Sequence, residues 1–224
     1  MMTNLFSIFD PSTSNLFSFN WLSTILFILF TPYMYWIIPS RYQMLISKMF
    51  MTLNKEFSIL LSTSKKPGMT LMLISLFWFI LMNNFMGLMP YIFTSTSHIM
   101  MTLSLAFPAW MTIMVFGWLF NTNHMFSHLV PQGTPSTLMI FMVCIETISN
   151  LIRPITLSIR LAANMIAGHL LITLLSNSAV MSNIIPLISI SMSQIILLLL
   201  ETAVAFIQAY VFVVLMSLYS TEIH

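Results

Sequence analysis

Residues 136–175 read STLMIFMVCIETISNLIRPITLSIRLAANMIAGHLLITLL, and residues 184–218 read IIPLISISMSQIILLLLETAVAFIQAYVFVVLMSL. Both are compatible with helix throughout their 40 and 35 residues. At about 1.5 Å per residue they would extend roughly 60 Å and 52 Å. A bilayer core of about 30 Å needs only about 20 residues of helix. Either each segment folds back on itself, or both lie steeply tilted as a hairpin joined near Ser176 to Asn183. No Gly/Pro pair breaks either segment centrally, and Pro154 alone would kink the first rather than reverse it. The tilted hairpin is the preferred reading.

The polar residues inside these segments follow a period. Glu146, Arg153 and Arg160 are seven apart, which keeps them on one helical stripe with about 20° of drift per step. Asn150 and Asn164 flank that stripe. Gln194, Glu201 and Gln208 repeat the spacing in the second segment, with Glu222 fourteen residues beyond Gln208. His169 stands half a turn round from Arg160, on another surface. A charge at mid-membrane costs from about 2.5 to more than 10 kcal/mol, so these groups need water or partners. Arg153 has a natural partner in Glu146. Arg160 has none nearby, which points to a partner on another chain. Ala162, Ala163, Ala167 and Gly168 near Arg160, and Ala203, Ala205 and Ala209 near Glu201, allow close approach of helix backbones.

Composition agrees with a membrane setting. Of 224 residues, 58% are hydrophobic and 5% charged, and mean hydropathy is +0.96. A soluble domain carries roughly 25% charged residues. Soluble enzymes, nucleic-acid binders and disordered chains are excluded, leaving an all-α polytopic membrane protein in a single domain over 1–224. The one cysteine, Cys144, excludes an internal disulfide or a cysteine-based metal cluster and reads as a small buried hydrophobe. Met1 to Phe9 has no Lys or Arg, so neither a secretory signal nor a transit peptide is expected at this end. That is consistent with synthesis inside an organelle, as are the 22 methionines.

Outside the hairpin, a first span is expected over 21–38, with Trp21, Tyr35 and Trp36 at the interfaces and Pro39 ending it. Residues 41–62 read as an interfacial helix. Arg41, Lys48 and Lys55 recur every seven residues, with Met44, Leu45, Met49, Leu53, Phe57 and Leu60 largely away from them. A turn at Lys65-Lys66-Pro67-Gly68 leads to a second span over 70–92 and a third over 99–118, the latter interrupted by Pro108. A loop from Asn121 to Pro135 then carries His124, His128 and the turn Pro131 to Pro135. Five of the seven basic residues lie in the 39–69 connection. The positive-inside rule therefore places that connection on the cytoplasmic or matrix side and the N-terminus opposite. His124 and His128 have no third ligand nearby, so they read as loop structure and no metal is expected.

The run Leu157 to His169, LSIRLAANMIAGH, resembles the signature of subunit a of F-type ATP synthases. HLVPQGTP (His128 to Pro135) and AFIQAYVF (Ala205 to Phe212) resemble the mitochondrial, insect-like branch of that family. The likeness extends over nearly the whole chain. It implies one N-terminal span, an interfacial helix, two further spans, and a tilted hairpin curved against a rotating ring of c subunits. By the same resemblance Arg160 faces the ring carboxylates, with Asn164 one turn on. Glu146 belongs to a matrix-side half-channel, with Glu222 placed near it. His169, Glu201 and Gln208 are polar positions of the hairpin, the first two lining a half-channel on the intermembrane-space side. Bacterial members usually carry the acid at the position of His169 and the imidazole at that of Glu201; the exchange fits the mitochondrial branch. The implied location is the mitochondrial inner membrane, with the N-terminus toward the intermembrane space. The implied partners are the c-ring, the peripheral stalk, other membrane-sector subunits and membrane lipids, with no nucleic acid and no cofactor.

The chemistry fits that role. Arginine stays charged where lysine can lose its proton. A fixed cation between two aqueous half-channels favours the ionised form of an approaching carboxylate and repels protons that would leak across. A secondary transporter binding an anionic solute at Arg160 is the rival, but no second copy of the Arg160 region is present, as paired repeats would require. A haem-carrying redox subunit would need histidines paired across spans, and only His169 clearly lies within one. No Gly-rich phosphate loop occurs, so any ATP chemistry belongs to other subunits.

Overall fold

A computed structural model describes residues 5–14, 17–33, 35–61, 68–130, 135, 138–180 and 183–222. Regular structure among the described residues is all helical. The helices are α1 (Ser23–Phe30), α2 (Arg41–Leu60), α3 (Met69–Gly87), α4 (Ile99–Phe120), α5 (Thr122–Leu129), α6 (Met139–Val180) and α7 (Ile184–Glu222). Short 3-10 turns lie at Leu5–Phe9, Phe19–Leu22 and Ser95–Ser97. Helices α3, α4, α6 and α7 are each long and apolar enough to cross a membrane. The chain is an all-α polytopic membrane protein.

Neither long segment folds back. α6 is one helix of 42 residues that runs through a buried Pro154, and α7 is one helix of 39. They pack against each other, α3 packs on α7, and α4 packs on α6. The core between them is built from Phe77, Ile80 and Leu81 of α3, Ala106, Ala109 and Trp110 of α4, Leu157 and Leu161 of α6, and Ala209, Phe212, Val213 and Met216 of α7. The alanines let the backbones approach where the helices cross. Hydroxyls buried in this core bond back to their own helices, as Ser158 Oγ donates to the Ile155 carbonyl and Ser217 Oγ to that of Val214, both at 2.8 Å. They satisfy themselves locally and ask nothing of neighbouring helices.

The expected first span over 21–38 is not one helix. Helix extends only over Phe19–Phe30, short for a span of about 20 residues. Thr31 turns to φ −77°, ψ 123°, because Cδ of the following Pro32 crowds the helical conformation of the residue before it. The second span also ends early, at Gly87 rather than 92, and the chain turns through Pro90 and Tyr91, the latter at φ 67°. A Cβ on Gly87 would lie 3.2 Å from Thr94 Cγ2 and 3.5 Å from Met165 Cε. The 88–98 connection thus folds back over the end of α3 and against α6.

Helix α2 matches the interfacial segment to within two residues and begins in a capping box. Ser40 Oγ accepts from the Gln43 amide at 3.4 Å, and Gln43 Oε1 accepts from the Ser40 amide at 2.8 Å. Its buried side carries Ile46 and Phe57, and Phe50 meets Trp78 of α3 edge-on at 5.0 Å. Met44 and Leu45, expected away from the basic stripe, are instead exposed beside it; at 100° per residue Met44 lies only about 60° from Arg41. The expected loop at 121–135 contains helix α5, so His124 and His128 sit on a helix. Cys144, expected to be buried, is exposed on α6. The turn residues Lys65 to Pro67 and Pro131 to Thr134 lie outside the described residues; Gly68, at φ 98°, occupies a conformation that side chains with a Cβ rarely adopt.

Candidate functional site

The antiparallel register of α6 and α7 sets three polar levels along the hairpin. At the end near the α7 C-terminus, Arg153 bridges the two helices. Its Nη1 donates to Glu222 Oε2 at 2.5 Å, and its Nη2 lies 3.7 Å from Glu146 Oε1. The guanidinium also stands 4.9 Å from the centre of the Tyr219 ring. His128 of α5 and Asn150 line the same small cleft. The expected pair of Arg153 with Glu146 exists, but it is the looser of the two. Glu222 is the closer partner, 69 positions away in the chain.

One level further, about 10 Å along α6, Arg160 shares a small cavity with Gln208 of α7, walled by Leu157, Leu161, Val211 and Phe212. Among the described residues no carboxylate lies within 4 Å of Arg160. Its side chain is exposed, as are Thr156, Ala163, Ala167, Leu171 and Leu174. These six follow steps of three and four residues and so form one continuous face of α6. Among the described residues no other helix covers it. Asn164, one turn beyond Arg160, is half-buried.

At the third level, Glu201 lies 6% exposed between the hairpin helices. Its carboxylate rests on the bare backbone of Gly168, where a Cβ would overlap Oε1 and Cδ. Neither carboxylate oxygen has a hydrogen-bond partner, nor does Nε2 of the adjacent His169. The His169 ring meets Phe9 edge-on at 6.5 Å. Four further buried groups without partners belong to the same half of the bundle: the Ser23 hydroxyl, both amide atoms of Asn84, the Thr96 hydroxyl and His98 Nε2. Trp21 packs against both Phe93 and His98, which brings the 3-10 turn before α1 onto the 88–98 connection. Buried polar groups are nearly always satisfied by protein or by water, so a clustered set of orphans sets this half of the bundle apart from the self-satisfied hydroxyls of the core.

The structure thus brings Glu146 and Glu222 together at one end, Arg160 and Gln208 in the middle, and Gly168, His169 and Glu201 beyond. Sequence reasoning assigned no role to Asn84, Thr96, His98 or Ser23, or to His128, Asn150 and Tyr219. A signal existed for the first group: Asn83-Asn84 near the end of a span, followed by the polar run Thr94 to His98, is costly at membrane depth unless wetted.

A helical hairpin that carries, among the described residues, an arginine without an acidic partner on an open face, between a charged cleft at one end and orphaned polar groups toward the other, defines a polytopic membrane protein with ionisable groups along its membrane helices. Residues 16–221 match the family described as ATP synthase A chain. Over its full length the chain is 60% identical to the ATP synthase subunit a of Drosophila melanogaster and of Anopheles gambiae, and 59% identical to that of Locusta migratoria, each covered completely. The chain belongs to the ATP synthase A chain family, and membership makes it a component of the proton-translocating membrane sector of that enzyme.

Proposed function

We propose that this chain is the stator half of a rotary proton motor in the mitochondrial inner membrane. It offers two offset aqueous half-channels, with Arg160 between them to discharge the carboxylates of a c-subunit ring. The observation that carries this reading is the isolation of Arg160: a permanent cation with no acid within 4 Å among the described residues, on an exposed face flanked by Ala163 and Ala167. Small residues beside the guanidinium leave room for another helix to bring an acid close. The apolar walls Leu157, Leu161, Val211 and Phe212 around Arg160 and Gln208 keep the two polar ends apart.

In this mechanism a proton enters through the orphaned polar groups from Ser23 and His98 to Asn84, then passes His169 and Glu201 to an empty ring carboxylate. An imidazole can both accept and donate a proton through its two ring nitrogens. The ring turns with its carboxyl neutral in lipid, where desolvation disfavours the charge. On reaching Arg160 from the other side, the carboxyl loses its proton toward Glu146 and Glu222. Each proton crossing 100 mV delivers about 2.3 kcal/mol, which biases the direction of rotation. The basic 39–69 connection faces the matrix and the N-terminus the intermembrane space. ATP itself is handled by other subunits, and the peripheral stalk holds this chain against the ring.

Arg160→Lys tests the reading. Lysine retains the nominal charge but can deprotonate at membrane depth and lacks the planar fork. Coupled ATP synthesis in inverted vesicles should fall below detection while the complex still assembles. Near-normal coupling would sink the proposal, and uptake of an anionic solute by the purified chain would favour a transporter instead.

A further inference from the structure

We propose that the outward stripe of α2, formed by Arg41, Met44, Lys48, Met51 and Lys55, binds the anionic phospholipid headgroups of the leaflet on which α2 lies. The inference rests on the membrane placement of the chain and on no part of the proton path. The five positions alternate cation and methionine in steps of three and four residues, so they form a single line along the helix. Ile46 and Phe57 occupy the opposite, buried side, and α2 packs there against α3 and α7. Among the described residues, the stripe is therefore the side of α2 without an intramolecular partner. All five residues are exposed, Met44 at 58% and Met51 at 66%.

Charge and shape both select the ligand. Among the described residues no carboxylate lies within 4 Å of any of the three cations. Arg41 and Lys48 flank an open groove floored by Met44, Leu45 and Met51. Successive cations stand seven residues apart, about 10 Å along the helix. That is too far for one small anion to satisfy both, and it suits a row of phosphodiesters in one leaflet. Exposed thioethers between cations would be poorly placed against water, whereas they can lie against glycerol and upper acyl carbons while the lysine stems reach up to the phosphates. Trp36, Ile37 and Ile38, all largely exposed just before α2, extend this interfacial character.

The test uses the assembled complex in phosphatidylcholine vesicles doped with a trace of photoreactive phosphatidylglycerol or, separately, photoreactive phosphatidylcholine. The phosphatidylglycerol probe should label residues 41–55 at least fivefold more than the phosphatidylcholine probe at low salt, since a cation near an anionic surface contributes about a factor of five. Replacing Arg41→Gln, Lys48→Gln and Lys55→Gln together should abolish that excess while labelling of α3 and α4 and ATP-driven proton pumping stay unchanged. Pumping thus separates a failure of this inference from a failure of the motor reading. Met44→Gln with Met51→Gln retains the charges and should lower labelling by both probes. Equal labelling by the two probes, an excess that survives in the triple variant, or capture of another polypeptide by a crosslinker at Met44→Cys would each overturn the proposal.

Discussion

Gly168→Ala is the most direct probe of how the hairpin stations its buried acid. A methyl group at this position would overlap the Oε1 and Cδ atoms of Glu201 and press on Cγ. The backbone of α6 is fixed by packing, so the flexible carboxylate must move. Turning it off its rotamer costs about 0.5–1.5 kcal/mol, and overpacking of this kind costs roughly 1–3 kcal/mol in all. A 42-residue helix packed along much of its length tolerates that, so the complex should assemble. Proton transfer is less forgiving, because a displacement of about 1 Å can cost on the order of a hundredfold in rate. Passive proton flow through the membrane sector in reconstituted vesicles, driven by a potassium diffusion potential, should fall ten- to a hundredfold. Glu201→Asp shortens the side chain by one methylene and should recover part of the flow when combined with Gly168→Ala, although alone it slows it. Full proton flow in an assembled Gly168→Ala complex would refute the idea that this glycine seats the carboxylate. An absence of rescue by the shorter acid would place the defect elsewhere in the helix packing.

Glu201→Gln should slow proton uptake without preventing assembly, and flux indistinguishable from wild type would remove Glu201 from the path. In a Cys144→Ser background, needed because Cys144 is exposed, Glu146→Cys and Glu201→Cys should react with membrane-impermeant thiol reagents from opposite sides. Labelling of both from one side would contradict two separate half-channels. Across Arg153 and Glu222, whose side chains are 25% and 43% exposed, a double-mutant cycle should give a coupling of about 1 kcal/mol, the upper range for accessible pairs. Arg153→Gln alone should lose more, because it also gives up the Tyr219 contact, about 0.5–1 kcal/mol. Thermal denaturation of the detergent-solubilised complex would measure both, and zero coupling would make the bridge incidental.

The helical hairpin was legible in the chain because length and polar period are local properties. So was the isolation of Arg160, since no acid follows it at a helical spacing before Glu201. Pairings that depend on the register between helices were not. Glu146, seven residues from Arg153, was the natural partner on one helix, yet Glu222 is closer because α7 returns its C-terminus to that level. The early end of the first helix did have a local cause in Thr31-Pro32, but continued hydrophobicity to Ile38 obscured it; apolarity alone does not distinguish helix from extended chain. The helix at 122–129 was hidden for a different reason. Eight residues flanked by Asn121 and Pro131, with no side-chain cap on the Asn121 side, look like loop until α4 and α6 are in place to pack against. The cluster of unpartnered polar groups around Asn84, Thr96 and His98 depends on the 88–98 connection folding over α3, a tertiary event with only the costly polar residues themselves as a trace.

The open face around Arg160 has a consequence for biogenesis. A copy of this chain released alone into the bilayer would present its guanidinium to lipid tails, at a cost of about 2.5–3.5 kcal/mol by insertion scales and several times that for an unaccommodated side chain. The lipid would thin locally or the helix would shift to let the cation reach headgroups, and either distorts the hairpin that Arg153 fastens at its end. On the motor reading proposed above, docking to the rotor would complete the folding of this subunit. Quality control that degrades solitary copies would recognise a half-finished tertiary structure.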